Sequence, residues 1–231
     1  MTGPFLTGNE RNLVSATHSP PERQLLVVTH PEATHHVEGV VGGWHDSQLT
    51  PRGLEQAARV ARRLRQAIPL QARPEIFASD LQRCLQTAEV IAARIEAPVH
   101  ALPDLREISY GEAEGRPQAW LDERFVYPPA EGNQPRLDHA YGISGAETRR
   151  MAAERIYRAM DLILSSPAQH LVIVTHGFAL TFVVAAWIGM PLEAAGLIGI
   201  PVSSGSITTL RQEPPFFNRS ILRLNDTSHL E

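Results

Sequence analysis

The chain contains no lysine, and all 21 of its basic residues are arginine. This absence excludes a lysine Schiff base, a lysine general base and the lysine of a phosphate-binding P-loop. An anion held by a basic side chain of this protein is therefore held by arginine, whose planar guanidinium can bind two oxygen atoms at once.

Cysteine and long apolar runs are also scarce. Cys84 is the one cysteine of 231 residues, which excludes an internal disulfide, a thiol redox pair and a cysteine-rich zinc site. No apolar run approaches the roughly 20 residues of a membrane helix, and the first 22 residues lack the pattern of a signal peptide. These absences predict a cytoplasmic protein that does not bind a membrane.

Neither sign of charge is in large excess, because the net charge is -4. The arginines are also dispersed along the chain, which argues against nucleic acid as the main partner. The 43% hydrophobic and 20% charged residues are typical of a globular protein. Residues 1–22 are rich in Gly, Pro, Ser, Thr and Asn, and we expect a mobile extension there. Residues 23–231 are expected to form a single domain.

Short apolar runs alternate with helical patterns along that domain. Strands are predicted at residues 25–28, 76–78, 171–174, 207–211 and 220–224. Helices are predicted at residues 51–68, 81–95, 145–164 and 178–188, the first capped by Thr50, the second by Ser79 or Asp80 and the third by Ser144. This order predicts a three-layer α/β/α sandwich with a largely parallel sheet. The Pro-, Gly- and aromatic-rich segment at about 115–143 is too long for a simple connection and is expected to be a lid or specificity loop.

Two segments repeat one arrangement, in which a buried strand delivers Thr-His at its carboxyl end. The first is LLVVTHP, which contains His30, and the second is LVIVTHG, which contains His176. Ligands of open α/β sheets bind outside the carboxyl ends of the strands, so the two histidines can face one site if their strands are neighbours. A neutral imidazole is a nucleophile near pH 7, and a second imidazole can hydrogen-bond transferring oxygens, which suits phosphoryl transfer.

The motifs of the chain resemble those of the histidine phosphatase superfamily, the phosphoglycerate mutase-like proteins. The resemblance runs from about residue 25 to residue 230 in the expected order. It is carried by LLVVTHPE, GGWHDSQLTPRG, SDLQRCLQTAEVIA, LREISYGEAEG, VTHGFAL and LNDTSHL. The resemblance implies a phosphoglycerate mutase-like fold and no cofactor.

The resemblance also implies a role for individual residues. His30 would take the phosphoryl group, His176 would stabilise it in transfer, Arg83 would bind its oxygens and Glu107 would protonate the leaving oxygen. Asp104, Glu112 and Glu114 are rivals of Glu107 as the proton donor. Four further residues are expected at the substrate: Thr29, Glu32, His36 and Gly177.

The chain departs from the family signature around the first histidine. Thr29 stands where the family has arginine, Pro31 replaces a glycine and His36 replaces an asparagine. Since a charged hydrogen bond contributes roughly 1.5 to 3 kcal/mol, the missing guanidinium predicts reduced activity unless another group replaces it. The candidate replacements are a protonated His36 and three arginines of the long loop: Arg116, Arg124 and Arg136.

These observations favour a phosphomonoester hydrolase acting on a small phosphate ester, and they leave three alternatives. The first is a phosphatase-like protein that binds a phosphorylated ligand with little turnover, and the second is a phosphoglycerate mutase-type phosphotransferase. The third is a metal hydrolase, although no familiar spacing of metal ligands occurs in the chain. Its candidate ligands are His30, His35, His36, His45 and His176. A homodimer is common in the resembled family, and the loop aromatics Trp120, Phe125, Tyr127 and Tyr141 either contact the leaving group or pack the loop onto its own domain.

Overall fold

The computed structural model of the protein describes residues 22–231. Apart from Glu22, the extension expected at residues 1–22 lies outside the described residues. The strands are β1 (Arg23–Thr29), β2 (Glu75–Ala78), β3 (Val99–Ala101), β4 (His170–Thr175), β5 (Ile207–Gln212) and β6 (Arg219–Asp226). The helices are α1 (Thr34–Glu38), α2 (Pro51–Ala67), α3 (Gln82–Ile95), α4 (Gln118–Asp122), α5 (Asn133–Leu137), α6 (Arg149–Ser165) and α7 (Gly177–Trp187).

All of the strands belong to one mixed sheet in the order β3-β2-β4-β1-β5-β6. The four strands from β3 to β1 are parallel, whereas β5 and β6 are antiparallel to their neighbours. The predicted α/β class with a largely parallel sheet is therefore confirmed. Strand β3 was missed because it is short, is exposed over most of its length and carries His100, so no apolar run marks it.

Helices cover both faces of the sheet because neighbouring residues of the central strands point to opposite sides. Leu25 and Val27 pack with residues of α6 and α7, whereas Leu26 and Val28 pack with residues of α2 and α3. Strand β4 divides its side chains in the same way. The result is the predicted sandwich, with the central strands buried on both faces.

Two of the three predicted helix caps are wrong. Thr50 does cap α2 and accepts a hydrogen bond from the Gly53 amide at 2.9 Å. Helix α3 instead begins at Gln82, whose amide donates at 2.7 Å to Asp46 of a distant loop. Helix α6 begins at Arg149, four residues later than expected, because Thr148 rather than Ser144 accepts from the amide of the first turn.

Among residues 22–231, every helix is too short or too polar to span a membrane.

Candidate active site

The two Thr-His motifs meet because their strands are direct neighbours. Strands β1 and β4 are parallel and in register, with Thr29 opposite Thr175. The His30 amide donates at 3.0 Å to the carbonyl of Thr175, and the ring centroids of His30 and His176 lie 5.1 Å apart. Both histidines thus lie at the carboxyl edge of the parallel part of the sheet.

A cavity of about 490 Å³ opens at this edge. Six of the eight residues expected at the site line it: Thr29, His30, His36, Arg83, Glu107 and Gly177. The other lining residues are His35, Gly39, Val40, Gly42, Gly43, Tyr110, Gln118, Val202, Ser203 and Ser204. His176 is fully buried beside the cavity, and Glu32 lies away from it.

The hydrogen bonds of His30 fix which ring nitrogen carries the proton. Nδ1 lies 2.9 Å from the Pro31 carbonyl, to which it can only donate. Nε2 accepts from Nε of Arg83 at 3.3 Å. Burial, together with the charge of Arg83, holds the pKa of His30 well below its usual value of 6.5. His30 is therefore a neutral imidazole whose Nε2 lone pair faces the guanidinium.

Arg83 is held in place by backbone oxygens rather than by a carboxylate. Nη2 donates to the Gly43 carbonyl and Nη1 to the His45 carbonyl, each at 2.7 Å. The side chain is only 1% exposed, although it lies in the first turn of α3. Because no carboxylate pairs with it in the described chain, its positive charge remains available to an anion in the cavity.

His176 is the residue that caps the start of α7, and its side chain is 0% exposed. Its Nε2 lies 2.8 Å from Oγ of Ser79 and 3.4 Å from Sγ of Cys84. Burial and the nearby Arg83 hold the pKa of His176 well below 6.5. The second imidazole is thus neutral and oriented by a buried serine that follows strand β2.

Glu107 lies at the amino end of α7. Its two carboxyl oxygens accept hydrogen bonds from the amides of Ile108, Phe178 and Ala179, all at 3.0 Å. Burial raises the pKa of Glu107, against the three amides, which lower it. Among the cavity-lining residues of the described chain, Glu107 is the one carboxyl group.

A buried ion pair holds the segment that carries Glu107. Arg155 and Glu147 are joined by two hydrogen bonds of 2.9 and 2.8 Å, and both side chains are less than 10% exposed. Arg155 also donates to the carbonyls of Asp104, Arg106 and Glu107. The backbone before the candidate acid is thereby fixed to α6.

Two of the expected substrate-contacting side chains are directed elsewhere. The Glu32 carboxylate accepts from the Thr50 hydroxyl at 2.7 Å and lies 3.4 Å from Arg52, so it supports the start of α2. The Thr29 hydroxyl donates to the Ser203 carbonyl at 2.6 Å and accepts from the Ser206 amide at 3.2 Å. Thr29 therefore lines the cavity while its hydroxyl anchors the loop before β5.

His36 lines the cavity as a neutral donor rather than as a cation. Its Nδ1 accepts from the Ala33 amide at 3.1 Å, which leaves the hydrogen of the neutral ring on Nε2. Burial and Arg83 lower the pKa of His36, so protonation is disfavoured. The expectation that a protonated His36 replaces the missing guanidinium is wrong for this physical reason.

The long loop does not supply the missing cation either. None of its three candidate arginines lines the cavity: Nε of Arg116 donates to the Glu112 carbonyl, Arg124 pairs with Glu123, and Arg136 donates to two backbone carbonyls. The loop aromatics also lie outside the cavity lining, and Phe125 packs against Tyr127 and Tyr141. Trp120, Phe125 and Tyr141 pack with the hydrophobic core, whereas Tyr127 is largely exposed, so the structure favours packing of the loop for three of the four aromatics.

Three imidazoles could hold a metal ion. His30, His35 and His36 each present a nitrogen, and these atoms lie within 4.8 Å of one another. The guanidinium of Arg83 beside His30 opposes a dication, and Nδ1 of His36 is already bound to an amide. His45 and His176 are not part of this group.

Sequence reasoning missed several residues that shape the site. Tyr110, Gln118, Ser203 and Ser204 line the cavity, and Ser79 contacts His176. Ser79 lies in the motif SDLQRCLQTAEVIA and Tyr110 lies in LREISYGEAEG, so their place in these motifs could have indicated that they lie near the site. Gln118 begins the short helix α4, and Ser203 and Ser204 lie in a loop, so the placement of all three depends on tertiary packing.

Comparison with known proteins identifies relatives over most of the chain. Residues 25–227 match the histidine phosphatase superfamily (branch 1). A probable phosphoglycerate mutase, GpmB of Yersinia pestis (strain Pestoides F), is 30% identical over 215 residues, covering 90% of this chain and 95% of the relative.

Solved structures show the same fold. Bacillus stearothermophilus YhfR superposes with a TM-score of 0.71 at 26% identity, covering 90% of this chain and 100% of that chain. The alpha-ribazole phosphatase from Shigella flexneri superposes with a TM-score of 0.69 at 26% identity, covering 88% of this chain and 96% of that chain.

Proposed function

The chain belongs to the histidine phosphatase superfamily, branch 1, and from this premise we propose that it is a phosphomonoester hydrolase that acts through a phosphohistidine at His30. The relatives include a phosphatase and a probable mutase, which supports phosphate hydrolysis or transfer. The observation that carries the finer proposal is the state of His30. Its Nδ1 hydrogen is bound to the Pro31 carbonyl, so Nε2 keeps its lone pair beside Arg83.

The reaction proceeds in two steps. Nε2 of His30 attacks phosphorus, the bond to the ester oxygen breaks, and the Glu107 carboxylic acid protonates the departing alkoxide. Water then attacks the phosphohistidine, the Glu107 carboxylate accepts its proton, and inorganic phosphate leaves. No proton transfer in this sequence requires a metal ion.

The transferring oxygens are held by one guanidinium and by neutral donors. Arg83 supplies the charge, Nε2–H of His36 supplies a neutral hydrogen bond, and Gly177 lines the cavity at the amino end of α7, where the next two amides are bound to Glu107. His176 is buried behind this group, outside the cavity lining, and supports the transfer by packing edge-on against the His30 ring. We propose that Thr29 marks a lost arginine that no other arginine replaces, which lowers the rate about 10- to 100-fold relative to two-arginine enzymes.

Hydrolysis is favoured over mutase activity because only a short segment, residues 108–144, separates Glu107 from the region before α6. The resemblance implies that mutases carry a longer segment here, which encloses the phosphohistidine and excludes water. Release of inorganic phosphate from the phosphoenzyme in water would support the hydrolase, whereas quantitative transfer of the phosphoryl group to a second hydroxyl would support the mutase.

The role of Glu107 predicts a dependence on the leaving group. Glu107→Gln is expected to lower kcat/KM for alkyl phosphates by about 10²- to 10⁴-fold, because an alkoxide leaves poorly without a proton. The loss for p-nitrophenyl phosphate is expected to be much smaller. Steady-state assays on both esters measure the difference.

Glu112→Gln is the matched control, since Glu112 is an exposed carboxylate near the same motif and outside the cavity lining. It is expected to leave both rates within about twofold of the parent. Equal losses on both esters in Glu107→Gln would remove Glu107 as the donor.

The pKa shifts predict an activity profile displaced toward acid. The pKa of His30 lies well below 6.5, so the neutral nucleophile persists as pH falls through 6.5 and is lost only well below it. The pKa of Glu107 is raised above 4.5, so the protonated donor is present below that raised pKa and is lost as pH rises through it. kcat/KM for an alkyl phosphate is therefore expected to be bell-shaped.

Comparison with Glu107→Gln distinguishes the effect of Glu107 ionisation on kcat/KM from the effect of ionisation of the ester itself. That variant is expected to lack the alkaline limb that belongs to Glu107, while ionisation of the substrate affects both proteins equally. An acid limb centred at or above pH 6.5 would contradict the neutral state of His30.

A further inference from the structure

Apart from Arg83, Glu107 and three histidines, the described residues that line the cavity are uncharged. Val40, Tyr110, Gln118 and the loop residues 202–204 form this uncharged wall, and the loop also contacts Thr29 through the Ser203 carbonyl. Within the lining that the structure describes, Arg83 is the one guanidinium, and it lies at the phosphate end against His30. A leaving group in this cavity thus meets side chains without positive charge.

The arginines near this wall are held by other groups, and none of them lines the cavity. Arg149, whose charge reaches Tyr110 from outside the lining, donates to the Ile198 carbonyl and lies over the Phe178 ring at 4.9 Å. Arg106 pairs with Asp80 through hydrogen bonds of 2.7 and 2.6 Å, and Arg155 is bound to Glu147. Arg116 donates to a carbonyl of its own turn and lies over the Trp120 ring at 4.6 Å. A second anion on the substrate would therefore be desolvated without a second guanidinium in the described cavity lining, which is unfavourable.

The same wall offers neutral hydrogen-bonding groups. The Tyr110 hydroxyl has no hydrogen-bond partner among the described residues, and the Gln118 amide donates to Asp122, which leaves its carbonyl oxygen available. Ser203 and Ser204 add two hydroxyls, and Val40 and Val202 add apolar surface. These groups suit hydroxyls on a small carbon skeleton.

We infer that the substrate is a monoester of a neutral, hydroxyl-bearing alcohol, which carries one phosphate and no second anion. This inference rests on the proposed function and narrows it. Phosphorylated carboxylic acids and bisphosphates are disfavoured, which also disfavours phosphoglycerate as a substrate. The cavity of about 490 Å³ has the size of a small-molecule site and accommodates a leaving group as large as a sugar.

The test compares matched esters that differ in charge. Glycerol 3-phosphate is paired with 3-phosphoglycerate, and fructose 6-phosphate is paired with fructose 1,6-bisphosphate. We expect kcat/KM at fixed ionic strength to favour the neutral member of each pair by at least about 10-fold. A ratio near one, or one that favours the charged member, would overturn the inference although turnover occurs.

A designed cation tests whether this wall causes the selection. Gln118→Arg is expected to lower the neutral-to-charged ratio at least about threefold, because it places a guanidinium where the wall has none. Gln118→Met is the uncharged control of similar reach and is expected to leave the ratio unchanged. If Gln118→Arg folds normally and the ratio does not move, the leaving group does not lie against this wall.

Failure of the underlying function has a different signature. Absence of turnover with all four esters and with p-nitrophenyl phosphate, together with absence of phosphohistidine, would overturn the proposed hydrolase itself. In that case binding of the same esters, measured by calorimetry, would support the phosphate-binding alternative.

Discussion

Replacement of His30 by alanine is expected to abolish the acid-labile phosphoenzyme and to reduce phosphomonoester turnover by at least about 10⁴-fold. The reason is that Nε2 of His30 is the one atom proposed to form the covalent bond, and loss of a nucleophile removes both steps of the reaction. Rapid-quench labelling with a ³²P-labelled ester, carried out with EDTA present, measures the phosphoenzyme. We expect the parent protein to be labelled under these conditions.

His100→Gln provides the matched control. His100 lies on β3, outside the residues that line the cavity, and its side chain is 46% exposed. This variant is expected to retain labelling and turnover. Full labelling of His30→Ala would place the nucleophile elsewhere, and loss of all labelling after EDTA treatment of the parent would favour the metal hydrolase.

Replacement of Arg155 by methionine is expected to lower the free energy of unfolding by about 3 to 5 kcal/mol. The change leaves the Glu147 carboxylate buried without its partner, and a buried charge that loses its partner is strongly destabilising. Three backbone carbonyls from residue 104 to residue 107 also lose their donor. Urea denaturation followed by circular dichroism measures the change.

Arg158→Met is the control on the same helix. Arg158 is 64% exposed and lies 3.5 Å from a half-exposed Asp104, so its removal is expected to cost about 0.5 kcal/mol or less. A double variant, Arg155→Met with Glu147→Met, removes both buried charges and is expected to recover part of the loss. If Arg155→Met behaved like Arg158→Met, the buried pair would not fix the Glu107 segment.

The sheet could be predicted from the sequence because its central strands carry continuous apolar runs. Strands β1 and β4 are buried on both faces, and each run ends in the same Thr-His pair, so the position of the two histidines followed from the pattern. Strand β3 carries no such run and is held mainly by its pairing with β2. Its existence depends on the neighbouring strand and not on its own composition.

Side-chain destinations were less predictable than backbone positions. Glu32 lies two residues after His30 in the chain, yet its carboxylate accepts a hydrogen bond from Thr50, the residue that precedes α2. Asp46 caps α3 across a gap of 36 residues in the chain. The protonation of His36 is decided by one amide of its own turn. Each of these outcomes depends on contacts that form only after the elements pack.

The sheet order also determines when the candidate site can exist during synthesis. Strand β1 is made first, but both of its hydrogen-bonded neighbours, β4 and β5, lie in the last third of the chain. Until the ribosome has released those segments, LLVV remains an apolar strand with two open edges, which is a target for chaperones and for misassembly. His30 and His176 come together at the same moment as the centre of the sheet closes. A nascent chain truncated before β4 therefore lacks His176 and cannot form the candidate site.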